Sequence, residues 1–103
     1  MVIKISDHIP HCHTYTDGNK LFNIIKPLLD DGIDVKISFS GIDSVTSSFV
    51  NSAFIALLQY FEFDRIKTNL NFINTNKDIN KMIKKRFDFE INQRYLLEEI
   101  GAV

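Results

Sequence analysis

The sequence predicts a two-layer α/β domain, with a mostly parallel, mixed sheet and helices packed on one face of it. Three observations predict it. Strand-like and helix-like segments alternate along the chain, and strands joined by helices need crossover connections, which make much of the sheet parallel. The strand-like segments alternate apolar and polar side chains, whereas a parallel strand covered on both faces reads as continuous Val, Ile and Leu, so one sheet face is covered and the other is wet. The 103 residues fit one domain, spanning 1–103, and 45% hydrophobic with 24% charged residues is a globular rather than a disordered composition.

The elements follow in order. Residues 2–5 form a short strand candidate, and residues 7–16 are a polar, His-rich loop or edge hairpin. Asp17-Gly18 is a turn signal, and Asp17 is placed to cap the helix that follows. From Asn19 to Asp31, residues Leu21, Phe22, Ile24, Ile25, Leu28 and Leu29 recur at helical spacing. Pro27 lacks a backbone donor, which predicts a kink or an early end, and Gly32 is placed to terminate the helix. Residues 34–40 read as a strand, with Val35, Ile37 and Phe39 on one face and Lys36 and Ser38 on the other.

Residues 47–62 make the strongest helix pattern. Phe49, Val50, Ala53, Phe54, Leu57, Leu58 and Phe61 leave only a narrow polar stripe through Ser52, Gln59 and Glu62. So broad an apolar surface means deep burial, a partner surface, or both. Residues 69–73 alternate as a strand, with Leu70 and Phe72 inward. Residues 77–87 form a helix with Ile79, Met82, Ile83 and Phe87 inward. Beyond it, Phe87, Phe89 and Ile91 alternate like a strand, while Tyr95, Leu96, Leu97 and Ile100 look helical.

Charge and cysteine content exclude several classes. A net charge of −1 and a pI near 6.3 lack the basic excess of a dedicated nucleic-acid binder. The single cysteine, Cys12, forms no disulfide within the chain, the first residues lack a signal-peptide pattern, and no apolar run approaches bilayer length. A cytoplasmic location without membrane contact is the expectation. The chain contains no Walker loop, dinucleotide fingerprint, metalloprotease helix or nucleophile elbow, and Asp30-Asp31, Asp43 and Glu98-Glu99 form no recognisable acid/base pair. An enzyme is therefore not expected, and no cofactor is implied.

Three constellations carry chemistry. His8, His11, Cys12 and His13 fall within six positions, and imidazole and thiolate are good transition-metal ligands. Their spacing matches no zinc motif, and neighbours on an extended chain point in opposite directions, so a polar loop explains them equally. Lys77, Lys81, Lys84 and Lys85, with Arg86, form a basic helix face suited to an acidic partner or simply to solvent. Thr46, Ser47 and Ser48 stand at the start of a helix, where Ser or Thr caps free N–H groups. A phosphate on such a serine would be favoured by the helix dipole and would change a docking surface by up to about two charges.

The last of these carries a resemblance. The run from Val35 to Phe39, the apolar turn Ile42 to Val45 and the pair Ser47-Ser48 opening a helix resemble the STAS domain, the sulfate transporter and anti-sigma-factor antagonist type. They are closest to the STAS-like family of unknown function, and the run Leu70 to Asn76 before a lysine-rich helix is similar too. The resemblance covers roughly residues 20–87. It implies a STAS-like domain, and a regulatory, non-enzymatic module whose surface around Asp43, Thr46, Ser47, Ser48 and Phe49 meets a protein partner. The implied partner is a histidine-kinase-like ATPase or an anti-sigma-type factor, with Ser47 at the position that such a kinase phosphorylates. Switching members carry an acidic residue where Thr46 stands and Gly where Phe49 stands. Two other readings rest on the residues themselves. One is a phage- or mobile-element-type inhibitor or scaffold, often a homodimer, acting through the apolar helix. The other is a metal-binding protein built on the His8–His13 cluster.

Overall fold

A computed structural model of the chain describes the backbone of residues 1–99 and the side chains of residues 1–93. Strands β1 (Val2–Lys4), β2 (Val35–Ser38) and β3 (Leu70–Ile73) form one sheet in the order β1-β2-β3. Both pairings are parallel, with Ile3 beside Ile37 and Ile37 beside Phe72. The sheet, expected to be mixed but mostly parallel, is wholly parallel among the described residues. The strand order advances always in one direction, so crossovers of a single hand lay the connecting helices on the same side. That topology explains the alternation in the strands. Ile3, Val35, Ile37 and Leu70 are buried, while Val2, Lys4, Lys36 and Asn71 stay exposed. Ser38 departs from the pattern: it is buried on the polar side, where the loop after β3 covers it.

Helix α1 (Tyr15–Asp30) starts four residues earlier than its apolar periodicity suggests. Thr14, not Asp17, is the cap: its Oγ1 accepts from the Asp17 N–H at 3.1 Å. The Asp17-Gly18 pair read as a turn lies inside the first helical turns. There the Asp17 carboxylate meets the positive end of the helix dipole. Pro27 does not end the helix early. It stands one turn from the C-terminus on the exposed side, beside exposed Asn23, whose carbonyl is the one left without its donor. Gly32, with φ 72°, closes the segment as expected, and its N–H donates to the Leu29 carbonyl.

The long apolar helix over residues 47–62 is a second departure. Helix α2 (Ser47–Ala53) stops at Phe54, a 3-10 segment covers Ile55–Gln59, and a separate helix α3 (Phe63–Asn69) follows. One straight helix would turn part of this apolar surface to solvent. Broken at Phe54, the segment buries Phe49, Val50, Ala53, Phe54, Leu57, Leu58 and Phe61 and leaves Tyr60 as its exposed aromatic. Of deep burial, a partner surface or both, deep burial is what these residues show. The apolar surface that motivated an inhibitor or scaffold reading is inside the molecule.

Helix α4 (Lys77–Glu99) buries Ile79, Ile83 and Phe87 as expected. It also runs straight through Phe87, Phe89 and Ile91, so their alternation does not mark a strand. Lys84 pairs with Asp88 and Lys26 with Asp30, each one helical turn apart. Ile100 lies outside the described residues. None of the described helices is long and apolar enough to cross a membrane.

Helices α1 and α2 pack tightly because of Gly18. A Cβ there would lie 2.6 Å from the Phe49 carbonyl oxygen and collide with the Ser52 hydroxyl. Gly18→Ala gains about 1 kcal/mol of helix propensity, but overpacking against a backbone carbonyl costs about 1–3 kcal/mol. The expected result is net destabilisation, read as a lower urea midpoint at unchanged slope. A variant as stable as the parent would mean that the two helices separate freely.

Candidate functional site

The carboxyl ends of parallel strands gather the loops of an α/β sheet, and ligands and partners meet such sheets there. Here those loops are residues 8–14, 39–46 and 74–76. Their geometry follows from a few polar side chains that lock each loop to the next.

Thr46 joins the first two loops. Its N–H donates to the Cys12 carbonyl at 3.1 Å, and its hydroxyl donates to the His13 carbonyl at 2.8 Å. The same oxygen accepts from the Phe49 N–H at 3.2 Å, which caps α2. His13 Nε2 lies 3.4 Å from Ser44 Oγ, a further link between the loops. Gly41 permits the turn within the second loop, at φ 80°, a backbone region that disfavours a Cβ.

Two asparagines fix the other side. Asn76 donates from Nδ2 to the Asp43 carbonyl at 2.8 Å and accepts at Oδ1 from the Ile79 N–H at 2.8 Å, so one side chain holds the loop and caps α4. Asn74, in the left-handed region at φ 55°, donates to the buried Ser38 hydroxyl at 2.9 Å. The sequence reading passed over both residues. An Asn three positions before an apolar helix residue is a readable cap signal, but its grip on Asp43 is a long-range contact that no local pattern reports.

The predicted site residues separate into distinct groups. Ser47 and Ser48 occupy the first turn of α2 with exposed side chains, and among the described residues their hydroxyls have no hydrogen-bond partner. Thr46 has taken the capping role, which leaves Ser47 uncommitted. Asp43, four positions before Ser47, is exposed as well. Phe49 is not on this surface: it is fully buried against Phe54, so a partner cannot touch it in the folded chain. It supports α2 from below instead.

The histidine cluster does not converge. His11 and His13 are exposed with parallel rings 6.1 Å apart, His8 is exposed, and Cys12 between the two rings turns into the core at 2% exposure. Among the described residues no three His, Cys, Asp or Glu side chains come together as a metal-holding group. On α4, Lys77, Lys81, Lys84 and Lys85 are exposed, and Lys84 is ion-paired with Asp88. Arg86 leaves the predicted basic face. It donates to Asn51 Oδ1 at 2.7 Å and stacks over Phe89, which makes it a contact between α4 and α2.

Residues 10–13 and 41–44 line a polar cleft of about 250 Å³ beside the start of α2. Burial, with the Asp17 carboxylate as a lesser cause, pushes the Cys12 thiol up from 9.0 to about 12. A buried neutral thiol is neither nucleophile nor ready metal ligand.

Together these features define a small α/β module that presents a polar surface of interlocked loops at the carboxyl ends of its strands. The chain belongs to the family described as the STAS-like domain of unknown function (DUF4325), which it matches over residues 17–80, more than half of its length. No curated protein and no solved structure matches the chain.

Two measurements check this geometry. Thr46→Ala removes the α2 cap and strands the His13 carbonyl, at an expected cost of about 1–2 kcal/mol in urea unfolding, whereas Thr46→Ser retains most of the stability. A full effect with Ser would assign the role to the methyl group. For Cys12 the sign follows from linkage: above pH 9.0 the unfolded chain releases the thiol proton while the folded chain keeps it to about pH 12. Stability should therefore fall from pH 9 upward, and Cys12→Ser or Cys12→Ala should remove that part of the pH dependence. A wild-type profile that coincides with the variants would place the thiol in water.

Proposed function

We propose that this chain is a non-enzymatic regulatory module that binds a protein partner through residues 43–48 and is switched by phosphorylation of Ser47. The observation that carries the reading is the division of labour at the start of α2. Thr46 satisfies the helix and ties down both loops, so the exposed Ser47 hydroxyl is held on a rigid base and has no structural duty of its own. The resemblance to the STAS domain supports the same reading, since a serine at this helix start is the phosphoacceptor in the switching STAS proteins, which differ from this chain at Thr46 and Phe49.

The physics of the switch is local. A phosphate on Ser47 brings about two negative charges to a surface whose first helical turn carries no acidic residue. Within the chain it is tolerated near the free N–H groups of the first turn. Across an interface fitted to a neutral serine it introduces a charge that must be desolvated, and binding weakens. The partner of this reading is a histidine-kinase-like ATPase that both binds the surface and phosphorylates it.

Wild-type protein used as bait in its native lysate with ATP should retain such an ATPase and gain one phosphoryl group that maps to Ser47. Ser48→Ala should still gain it, and Ser47→Ala should not. With the purified partner, Ser47→Asp should bind at least about tenfold more weakly than Ser47→Ala. Equal affinities for the two variants would remove the switch and leave only a constitutive contact.

A further inference from the structure

We propose that two copies of this chain pair through β3, whose open edge receives a second β3 in antiparallel register. The direction of the backbone groups along that edge carries the argument. The Phe39 N–H donates to the Ile73 carbonyl at 3.0 Å, so this carbonyl faces β2. In a parallel ladder the backbone groups of alternate residues turn to the same side, so Asn71 and Ile73 serve β2 and Phe72 turns both of its groups away. All peptide units are trans. The Asn74 N–H therefore points opposite to the Ile73 carbonyl, and the Leu70 carbonyl opposite to the Asn71 N–H. The Leu70 N–H is already used, since it donates to the Ile66 carbonyl at the end of α3. In order, the edge presents an acceptor at Leu70, a donor and an acceptor at Phe72, and a donor at Asn74. None of the four has a partner among the described residues.

Burial shows that this edge is uncovered. Ile3, Ile37 and Leu70 point into the core and are buried. Phe72 points inward too, with its ring 5.0 Å from Phe54, yet it is only half-buried. Among the described residues the helical layer stops short of the β3 side. Edge strands are usually blunted by lysine, proline or a bulge. The opposite edge, β1, carries Lys4, whereas residues 68–76 hold no charged residue and no proline. The order of the groups identifies the occupant. Turned end for end, the row meets itself in register about Phe72. Each Phe72 exchanges both hydrogen bonds with its copy, and each Asn74 N–H meets the other copy's Leu70 carbonyl. Such a two-fold contact uses the same patch on both chains. It sets the two Phe72 rings together at the gap in the helical layer, and sets Asn71 across from Ile73 on the wet face. A charged strand would hold its charges against their own copies, which is destabilising, and β3 has none.

The full chain, labelled with ¹⁵N, is taken through a dilution series by analytical ultracentrifugation and amide hydrogen exchange. The expected result is a monomer–dimer equilibrium in which the Phe72 and Asn74 amides gain protection as concentration rises, with no matching change at residues 41–48. Asn71→Lys and Asn71→Glu alter an exposed side chain on the wet face. Each places like charges diagonally across the two-fold axis, so each alone should weaken the dimer about threefold. An equal mixture of the two should associate at least as tightly as wild type, which also verifies that both variants fold. Ser47→Ala should leave the equilibrium unchanged, since this contact does not depend on the switch. A chain that stays monomeric to millimolar concentration would overturn the proposal. So would a dimer whose Phe72 and Asn74 amides exchange freely, or a mixture that associates no more tightly than either variant alone.

Discussion

Phe54 sets its ring against three others, with centroids 6.3 Å from Phe39, 6.0 Å from Phe49 and 5.0 Å from Phe72. One of these rings comes from α2, one from β3 and one from the segment just after β2, so the contact joins the helical layer to the sheet. Burying a Phe ring is worth roughly 1.5–3 kcal/mol, and edge-to-face pairs add about 0.5–1.5 kcal/mol. To reach this position Phe54 leaves helical geometry, with φ −119° and ψ −46°. The break redirects the chain that follows, through residues 55–62 into α3. The 3-10 segment and α3 exist because Phe54 is drawn inward at the point where a regular helix would have carried the chain outward.

The same constraint shapes the site. Phe49 lies against Phe54 and is fixed from below, while Thr46 fixes the start of α2 from the side. Ser47 then sits on a base anchored both to the core and to the neighbouring loops. The opposite side of the loop cluster is held by Asn74 and Asn76. A surface built this way adjusts little on contact, so recognition there depends on charge and shape that already exist. In the proposed switch, a change of charge at the Ser47 hydroxyl would alter binding with little help from conformational change.

Much of the architecture was legible because the burial of the strands is periodic. Val35, Ile37, Leu70 and Ile79 were placed correctly by alternation or helical spacing alone. Residues 47–62 misled for a physical reason: helical periodicity reports which side chains are apolar, and it does not report where a ring must leave the helix to meet a sheet. Gly18 misled because a glycine before a helix and a glycine inside one, kept small for a neighbouring helix, look alike in one sequence. The histidine cluster was legible as composition, yet the inward turn of Cys12 between two outward rings depends on the core beneath it. At the candidate site, the place of Ser47 at the start of a helix was legible in the sequence, whereas Thr46 as a three-way junction and Asn76 as a link to Asp43 are contacts across more than thirty positions.

Helix α3, which left no clear trace in the sequence, has an effect on its distant neighbour. Its Arg65 donates from Nη2 at 2.6 Å to the Leu29 carbonyl, which also accepts from the Gly32 N–H at the C-terminus of α1, and the guanidinium rests over the Phe61 ring. A cation at this end of α1 also meets the negative pole of its dipole. The last turn of α1, closed locally by Gly32, is thus also held by a residue 36 positions further along the chain. Fraying of that turn and detachment of α3 become a single event, and the two segments behave as one cooperative unit within the domain.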